Sequence, residues 1–242
     1  MRKRWAAALL LAAMALAAAG WGLTGMKNRS AAGYPVRGVD VSHYQGEVDF
    51  NQLAEQGMQF AYIKATEGSS HIDECLAQNL QKVRNAPIRA GFYHFFSYDS
   101  PGIDQAMHFI ACVPAQEGML PPAIDVEFYA DKAAHPAARE QVIPELRVMV
   151  DALEQAYGVK PVIYCTLRAY RLYIRDAFED CDLWIRSVYF TPRLDRNWTF
   201  WQVSDWERLE GYSGEEECID VNVFHGTEEA FSGYPETIVR SK

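Results

Sequence analysis

Residues 121–127, PPAIDVE, predict a short buried strand that ends in two carboxylates, Asp125 and Glu127. Side chains alternate across a strand, so both acids should project from one face, with their Cα atoms about 6.5–7 Å apart. Burial and mutual repulsion push the pKa values of two such neighbours apart, so that one can donate a proton while the other stays charged. Cleavage of a glycosidic bond requires this division of labour, but two solvated acids at a strand end would give the same pattern.

Strand-like and helix-like segments alternate on both sides of this stretch. Strands are predicted at 36–43, 60–68, 89–96, 121–127, 160–166, 182–190, 198–204 and 217–224. Helices are predicted at 49–57, 73–86, 101–112, 136–157 and 167–177. The first five strands alternate with helices, which indicates a parallel α/β sheet. Eight such strands suggest that the sheet closes into a barrel.

The N-terminus has the pattern of an export segment. Three basic residues at positions 2–4 precede an uncharged, Ala- and Leu-rich run over residues 5–26, which predicts a signal peptide or a membrane-anchor helix over residues 1–26. Small residues at 17–19 favour cleavage, whereas continuation of the run to Met26 favours an anchor. Both alternatives place the remainder outside the cytoplasm. That remainder divides into a linker (27–35), a barrel domain (36–233) and a C-terminal tail (234–242).

Charge and cysteine content exclude two classes of function. Residues 30–242 carry 18 basic and 32 acidic side chains, and such an acidic surface argues against a nucleic-acid partner. The five cysteines include no CxxC pair, so zinc-site spacing is absent. We expect no metal, no organic cofactor and a monomeric protein, with membrane contact only through the N-terminal segment.

The predicted strand ends carry a consistent set of side chains. Chemistry in such barrels occurs where the strands end. Carboxylates, aromatic rings and polar side chains occupy those positions: Asp40, Lys64, Tyr93, Asp125, Glu127, Tyr164, Trp184, Gln202 and Asp220. Carboxylates can hydrolyse glycosides, and flat rings and amides can bind sugars, so the set predicts a carbohydrate cleft. Lys64 could instead form a structural ion pair with Glu67.

Eight motifs follow one another along residues 36–226: GVDVSHYQGEVDF (38–50), FAYIKATEG (60–68), GFYHFF (91–96), PAIDVE (122–127), PVIYC (161–165), LWI (183–185), FWQVS (200–204) and IDVNVF (219–224). In these motifs and in their order the chain resembles glycoside hydrolase family 25, the lysozyme-type muramidases. The resemblance implies an irregular TIM-like (β/α) barrel of eight strands with about five helices. It also implies hydrolysis of the β-1,4 bond between N-acetylmuramic acid and N-acetylglucosamine in peptidoglycan.

The resemblance assigns roles to individual residues. Glu127 matches the general acid and Asp125 the partner carboxylate, with Asp40 and Asp220 as further active-site acids. Sugar-binding residues would be Tyr62, Tyr93, Tyr164 and Trp184, together with Gln202 and Lys64, although Tyr62 and Tyr93 could be barrel core. Asp125 could act as a nucleophile or could orient the N-acetyl group of the substrate. Its position beside the acid on one strand favours the second, substrate-assisted and retaining route.

Two departures from the family pattern lie near the predicted cleft. Arg186 and Ser187 follow LWI, and the acidic stretch DWERLEGYSGEEEC (205–218) separates the last two motifs. We expect both departures to affect which substrates the cleft accepts. Two alternatives remain: a catalytically weak cell-wall glycan-binding module on the same barrel, and a chitin-acting hydrolase of another barrel family. The second is disfavoured because such enzymes carry a longer acidic series on the fourth strand.

Overall fold

A computed structural model describes residues 31–237 of the chain. The strands are β1 Arg37–Val41, β2 Met58–Glu67, β3 His71–Ile72, β4 Arg89–Phe95, β5 Ala123–Val126, β6 Val162–Thr166, β7 Leu183–Arg186, β8 Phe200–Glu207 and β9 Ile219–Phe224. The α-helices are α1 Phe50–Glu55, α2 Leu76–Val83, α3 Gly102–Cys112, α4 Arg139–Tyr157, α5 Leu167–Ala169 and α6 Glu228–Ser232. A π-helical segment, Tyr170–Ile174, continues α5, and short 3-10 helices lie at His43–Gln45 and Ala130–Ala133. All eight predicted strands and all five predicted helices are present, whereas β3 and α6 were not predicted.

Eight strands form a closed barrel, which confirms the predicted fold class. The order around the barrel is β1-β9-β8-β7-β6-β5-β4-β2, and β1 pairs with β2 to close it, while β3 extends β2 as a short hairpin. We call the end where β1, β2 and β4–β8 terminate the mouth, and the opposite end the base. Carboxyl ends of parallel strands meet at the mouth, where the predicted acids should lie.

The last strand runs against the others, so the expectation of a parallel sheet is wrong for β9. This strand is antiparallel to both of its neighbours, β8 and β1. Residues 208–218 connect β8 to β9 without a helix, and a parallel return would need a longer crossover. The reversal brings Asp220, the second residue of β9, to the mouth opposite Asp40 of β1.

The hydrophobic residues form two separate cores. Inside the barrel lie mainly aromatic side chains, including Phe60, Tyr62, Trp184, Phe200, Phe224 and Phe231. The outward-facing residues of the same strands pack under the helices, as Ile63, Ile124 and Ile185 do. This alternation follows from the two-residue period of a strand. Gly91 makes room inside, since a Cβ there would lie 2.4 Å from the Tyr62 ring.

Local capping sets two helix ends. The Asp49 carboxylate accepts hydrogen bonds from the backbone N–H groups of Asn51 and Gln52 at the start of α1, which satisfies donors left free at a helix N-terminus. Gly158 ends α4 in the left-handed conformation, with φ of 71°, which favours glycine.

The predicted N-terminal segment, residues 1–26, lies outside the described residues, as do residues 238–242 of the predicted tail. Between residues 31 and 237, no helix is both long enough and apolar enough to cross a membrane.

Candidate active site

Asp125 and Glu127 line one open cleft at the barrel mouth, as strand alternation predicts. Asp125 belongs to β5 and Glu127 follows it directly. The cleft is also lined by the predicted residues Asp40, Lys64, Tyr93, Tyr164, Trp184, Gln202 and Asp220. All eight barrel strands thus contribute a side chain to the cleft, and Tyr62 is the predicted site residue that lies elsewhere.

Asp125 is held in a poorly solvated position. Asp125 is only 7 % exposed, and its buried Oδ1 has no hydrogen-bond partner among residues 31–237. Burial therefore raises the pKa of Asp125 well above its ordinary value, and the nearby Glu127 charge raises it further. The positive charge of Lys64 opposes this shift. A buried carboxyl beside a second acid is the arrangement that proton-transfer chemistry uses.

Glu127 is partly exposed to the cleft. Burial raises its pKa above the ordinary glutamate value, and the positive charge of Arg186 partly offsets the effect. The charge of Asp40 raises the pKa further, while a long hydrogen bond of 3.5 Å from the Tyr164 hydroxyl lowers it. A carboxyl group with a raised pKa can stay protonated at a pH where ordinary glutamates are charged.

Asp40 and Asp220 form a second pair of acids, joined by amides. Gln202 donates hydrogen bonds of 3.0 Å from its Nε2 to Oδ2 of both acids, and its Oε1 accepts 2.9 Å from the Tyr164 hydroxyl. Asn222 donates to Oδ2 of Asp40 at 2.6 Å and accepts from the Trp184 indole N–H at 2.7 Å. Each amide is therefore fixed in orientation by partners on both of its ends.

Both members of the second pair have raised pKa values. Burial raises the pKa of Asp40 above its ordinary value, and the hydrogen bonds that Asn222 and Gln202 donate to it oppose this shift. Burial and the Asp40 charge raise the pKa of Asp220 to about 9. Asp40 accepts from two amides, so it is the charged member, and Asp220 holds the proton.

The aromatic residues divide between the cleft surface and the barrel core. Trp184 and Tyr164 are almost fully buried but expose an edge to the cleft, and Tyr93 is half-buried beside them. Tyr62 is fully buried: its ring stacks on Trp184 at 4.7 Å, and its hydroxyl donates to the carbonyl of Pro121. The expectation that Tyr62 contacts sugar is therefore wrong, because Tyr62 lies in the barrel core and packs against Trp184, which lines the cleft.

Lys64 forms the ion pair considered for it and also lines the cleft. Its Nζ lies 2.8 Å from Oε2 of Glu67 and 5.1 Å from the centre of the Phe95 ring. The same side chain lines the cleft. Lys64 thus forms a structural ion pair with Glu67 and also places a positive charge near Asp125.

Several cleft residues were not among the predicted site residues. Tyr44 and Gln45 come from the turn after β1, and Glu216 comes from the 208–218 connection. No strand or helix periodicity marks residues in turns.

The two departures from the family pattern contact each other and the cleft. Arg186 pairs with Asp205, the first residue of the inserted stretch, at 2.6 Å. The 208–218 connection then packs on the turn after β1: the backbone N–H of Ser213 donates to the Gln45 carbonyl, and Gln45 Nε2 donates to Glu216. The loop therefore forms one wall of the cleft.

Comparison with known proteins agrees with this geometry. The sequence profile of Glycosyl hydrolases family 25 matches residues 39–212. The chain belongs to glycosyl hydrolase family 25. It is therefore a glycoside hydrolase, and its irregular barrel is that of the family.

Individual family members resemble the chain over most of its length. A family 25 glycosyl hydrolase structure from Bacillus anthracis shares 50 % sequence identity with a TM-score of 0.79, covering 83 % of this chain and 94 % of that one. The uncharacterized protein YegX of Escherichia coli O157:H7 is 33 % identical over 86 % of this chain and 76 % of its own length. Lysozyme M1 of Streptomyces globisporus is 30 % identical over 79 % of this chain and 68 % of its own.

Proposed function

We propose that this family 25 enzyme is an N-acetylmuramidase, which hydrolyses the β-1,4 bond between N-acetylmuramic acid and N-acetylglucosamine in peptidoglycan. The observation that carries the proposal is the pair Asp125 and Glu127, which lie together in an open cleft with both pKa values raised. The similarity to Lysozyme M1 supports peptidoglycan as the substrate.

Glu127 acts as the general acid in this proposal. Because burial raises its pKa, it keeps a proton that it can give to the leaving glycosidic oxygen. The Arg186 charge limits the shift, so that Glu127 is acidic enough to release the proton. General acids work best when their pKa lies near the working pH.

Asp125 orients the substrate's own N-acetyl group. Asp125 and Glu127 leave one strand on the same face, so Asp125 lies poorly for attack from the opposite side of the sugar ring. The acetamido oxygen instead attacks the anomeric carbon as the glycosidic bond breaks and Glu127 protonates the departing oxygen. Water then attacks the anomeric carbon of the resulting oxazolinium ion and gives a proton to Glu127, so that the product retains its configuration.

The second acid pair supports the charge that develops on the sugar. Asp40 faces the cleft as the charged member of its pair, and Gln202 and Asn222 hold it in place. A fixed negative charge stabilises an oxocarbenium-like transition state because it needs no reorganisation during the reaction. The same charge raises the pKa of Glu127 and thereby helps to keep the acid protonated.

The cell-wall substrate implies where the enzyme acts. Peptidoglycan lies outside the cytoplasmic membrane, so an extracytoplasmic protein is required. The export segment predicted over residues 1–26 would deliver it there, as a cleaved signal or as an anchor, and the enzyme would act as a monomer.

Turbidity of purified cell walls tests the activity and the role of the acid. We expect Glu127→Gln to lower the clearing rate by at least the 10²–10⁴-fold typical of general-acid loss, whereas Glu117→Gln, an exposed glutamate outside the cleft, leaves it unchanged. Equal clearing by the wild type and Glu127→Gln would remove Glu127 from its role. Binding of walls without clearing by any of these proteins would favour the weak glycan-binding module.

Two measurements distinguish the substrate-assisted route from a nucleophilic Asp125. An NMR time course should show the β-anomer as the first product, and the α-anomer would contradict retention. Glycan strands whose muramic acid lacks the N-acetyl group should resist cleavage, because their free amine cannot form an oxazolinium ion. Cleavage of those strands at the normal rate would instead make Asp125 the nucleophile.

A further inference from the structure

A second groove lies at the barrel mouth, next to the catalytic cleft. It runs between α5 and the turn formed by residues 187–193, and it is lined by Leu167, Arg171, Tyr189, Phe190 and Arg193 among others. Its volume is about 680 Å³, which falls within the range of ligand sites. None of the proposed catalytic residues takes part in it.

The turn presents two aromatic side chains to solvent. Tyr189 is 56 % and Phe190 67 % exposed. Ser187 holds the turn in place, since its hydroxyl donates to the Phe190 carbonyl at 2.7 Å and its own carbonyl accepts from the Trp201 indole. The Tyr189 ring also stacks on Trp206 at 6.5 Å. Large apolar side chains displayed on a fixed turn are typical of a binding surface.

Charge distinguishes this groove from the catalytic cleft. Arg171 and Arg193 are exposed, and neither forms an ion pair with an acidic side chain within residues 31–237. No acidic residue of the described chain lines the groove, whereas several carboxylates line the cleft. In a protein of formal net charge −9, this local positive surface favours an anionic ligand.

The groove begins a short distance from the place where sugar would bind. Thr166 of β6 and Arg186 of β7 are register partners, and the next residue on each strand, Leu167 or Ser187, lines the groove. The cleft residues Tyr164 and Trp184 stand three positions earlier on the same two strands. At about 3.3 Å per residue, the groove starts about 10 Å from them.

We infer that this groove binds the peptide stem carried by muramic acid in peptidoglycan, an inference that rests on the proposed muramidase function. The stem is an acidic peptide, and its carboxylates pair with Arg171 and Arg193 while its aliphatic side chains pack on Tyr189 and Phe190. An extended stem of four or five residues spans up to about 13–18 Å, enough to reach from the cleft into the groove. The acidic cleft itself would repel these carboxylates.

Kinetics on two matched substrates test the inference. Purified glycan strands are used either with their peptide stems or after an amidase has removed the stems. The double variant Arg171→Gln/Arg193→Gln should lose about tenfold in kcat/KM on stem-bearing strands, chiefly through KM, because each arginine forms an exposed charge pair with the stem and such pairs are individually weak. A tenfold loss corresponds to about 1.4 kcal/mol. It should match the wild type on stem-free strands. Arg84→Gln, an exposed arginine outside the groove, is the control and should change neither rate.

The outcomes separate this inference from the proposed function. Equal loss on both substrates, or loss on neither, would overturn stem binding while leaving the muramidase intact. If the wild type cleaves neither substrate, the muramidase proposal fails. Binding of muramoyl tetrapeptide, measured by NMR, then tests the role of the groove separately. Saturable shifts with muramoyl tetrapeptide that vanish in the double variant support stem binding. Shifts with an anionic wall polymer alone would overturn it.

Discussion

Replacement of Asp220, a partly buried acid of the site, should make this protein more stable. In the folded state Asp220 keeps its proton up to a pKa of about 9, whereas an unfolded aspartate releases it near pH 3.9. The folded state therefore binds more protons than the unfolded state between these two values, so the free energy of unfolding falls as pH rises through the window. Below about pH 4 both states are protonated, and the full stability is present.

The magnitude follows from the width of the window. A pH of 7 lies about three units above the pKa of an unfolded aspartate. Each unit corresponds to about 1.36 kcal/mol, so the proton held by folded Asp220 costs about 4 kcal/mol of stability at pH 7. Asp220→Asn removes the titration and keeps a donor for Asp40 and an acceptor for Gln202. Because Asp220 is only partly buried and lies beside Asp40, we expect about half of this value as a gain, about 2 kcal/mol. That corresponds to a rise in Tm of about 4–8 °C.

Urea unfolding at several pH values provides the measurement. The stability difference between Asp220→Asn and the wild type should be near zero at pH 4 and should grow as pH rises to 8. Asp131→Asn, at an exposed position, is the control and should show no such growth. A difference that is constant with pH, or a variant less stable than the wild type at pH 7, would refute the reasoning. Activity should fall in the same variant, since active-site acids are commonly retained at a cost in stability.

Two further predictions concern the electrostatics and the packing of the site. Arg186→Gln removes a positive charge that lowers the pKa of Glu127, so the alkaline limb of the kcat/KM profile should move to higher pH; an unmoved or lower limb would contradict this. Gly91→Ala places a Cβ 2.4 Å from the Tyr62 ring and should cost about 1–3 kcal/mol of stability in thermal unfolding, whereas Gly33→Ala meets nothing within 4 Å and should be neutral. Equal effects of the two glycine changes would show that the barrel interior yields to the added methyl group.

Much of the site could be predicted because strand periodicity is a local property. The spacing of Asp125 and Glu127 places both on one face of a strand whatever the rest of the chain does. The run of alternating strands and helices then places Asp40, Tyr164 and Trp184 at the same end of one barrel. These inferences needed only the order of residues along each strand.

The parts that could not be predicted depend on tertiary context. A two-residue period gives no strand direction, so the reversal of β9 followed only from its partners. Tyr62 and Lys64 alternate identically on β2, and only their depth in the barrel decides that one is buried and the other lines the cleft. The raised pKa values of Asp40 and Asp220 likewise depend on two strands that are distant in sequence.

The direction of β9 also determines which side of the enzyme would face a surface to which it is attached. Because β1 starts at the base and β9 ends there, the described chain enters and leaves the barrel on one side, where α6 covers the base and Phe231 packs between Phe60 and Phe224. A tether joined ahead of residue 31 would approach from that side, so the catalytic opening would point away from the tethering surface. An enzyme held in this way could work on the layer above its attachment and would leave the surface beneath it untouched.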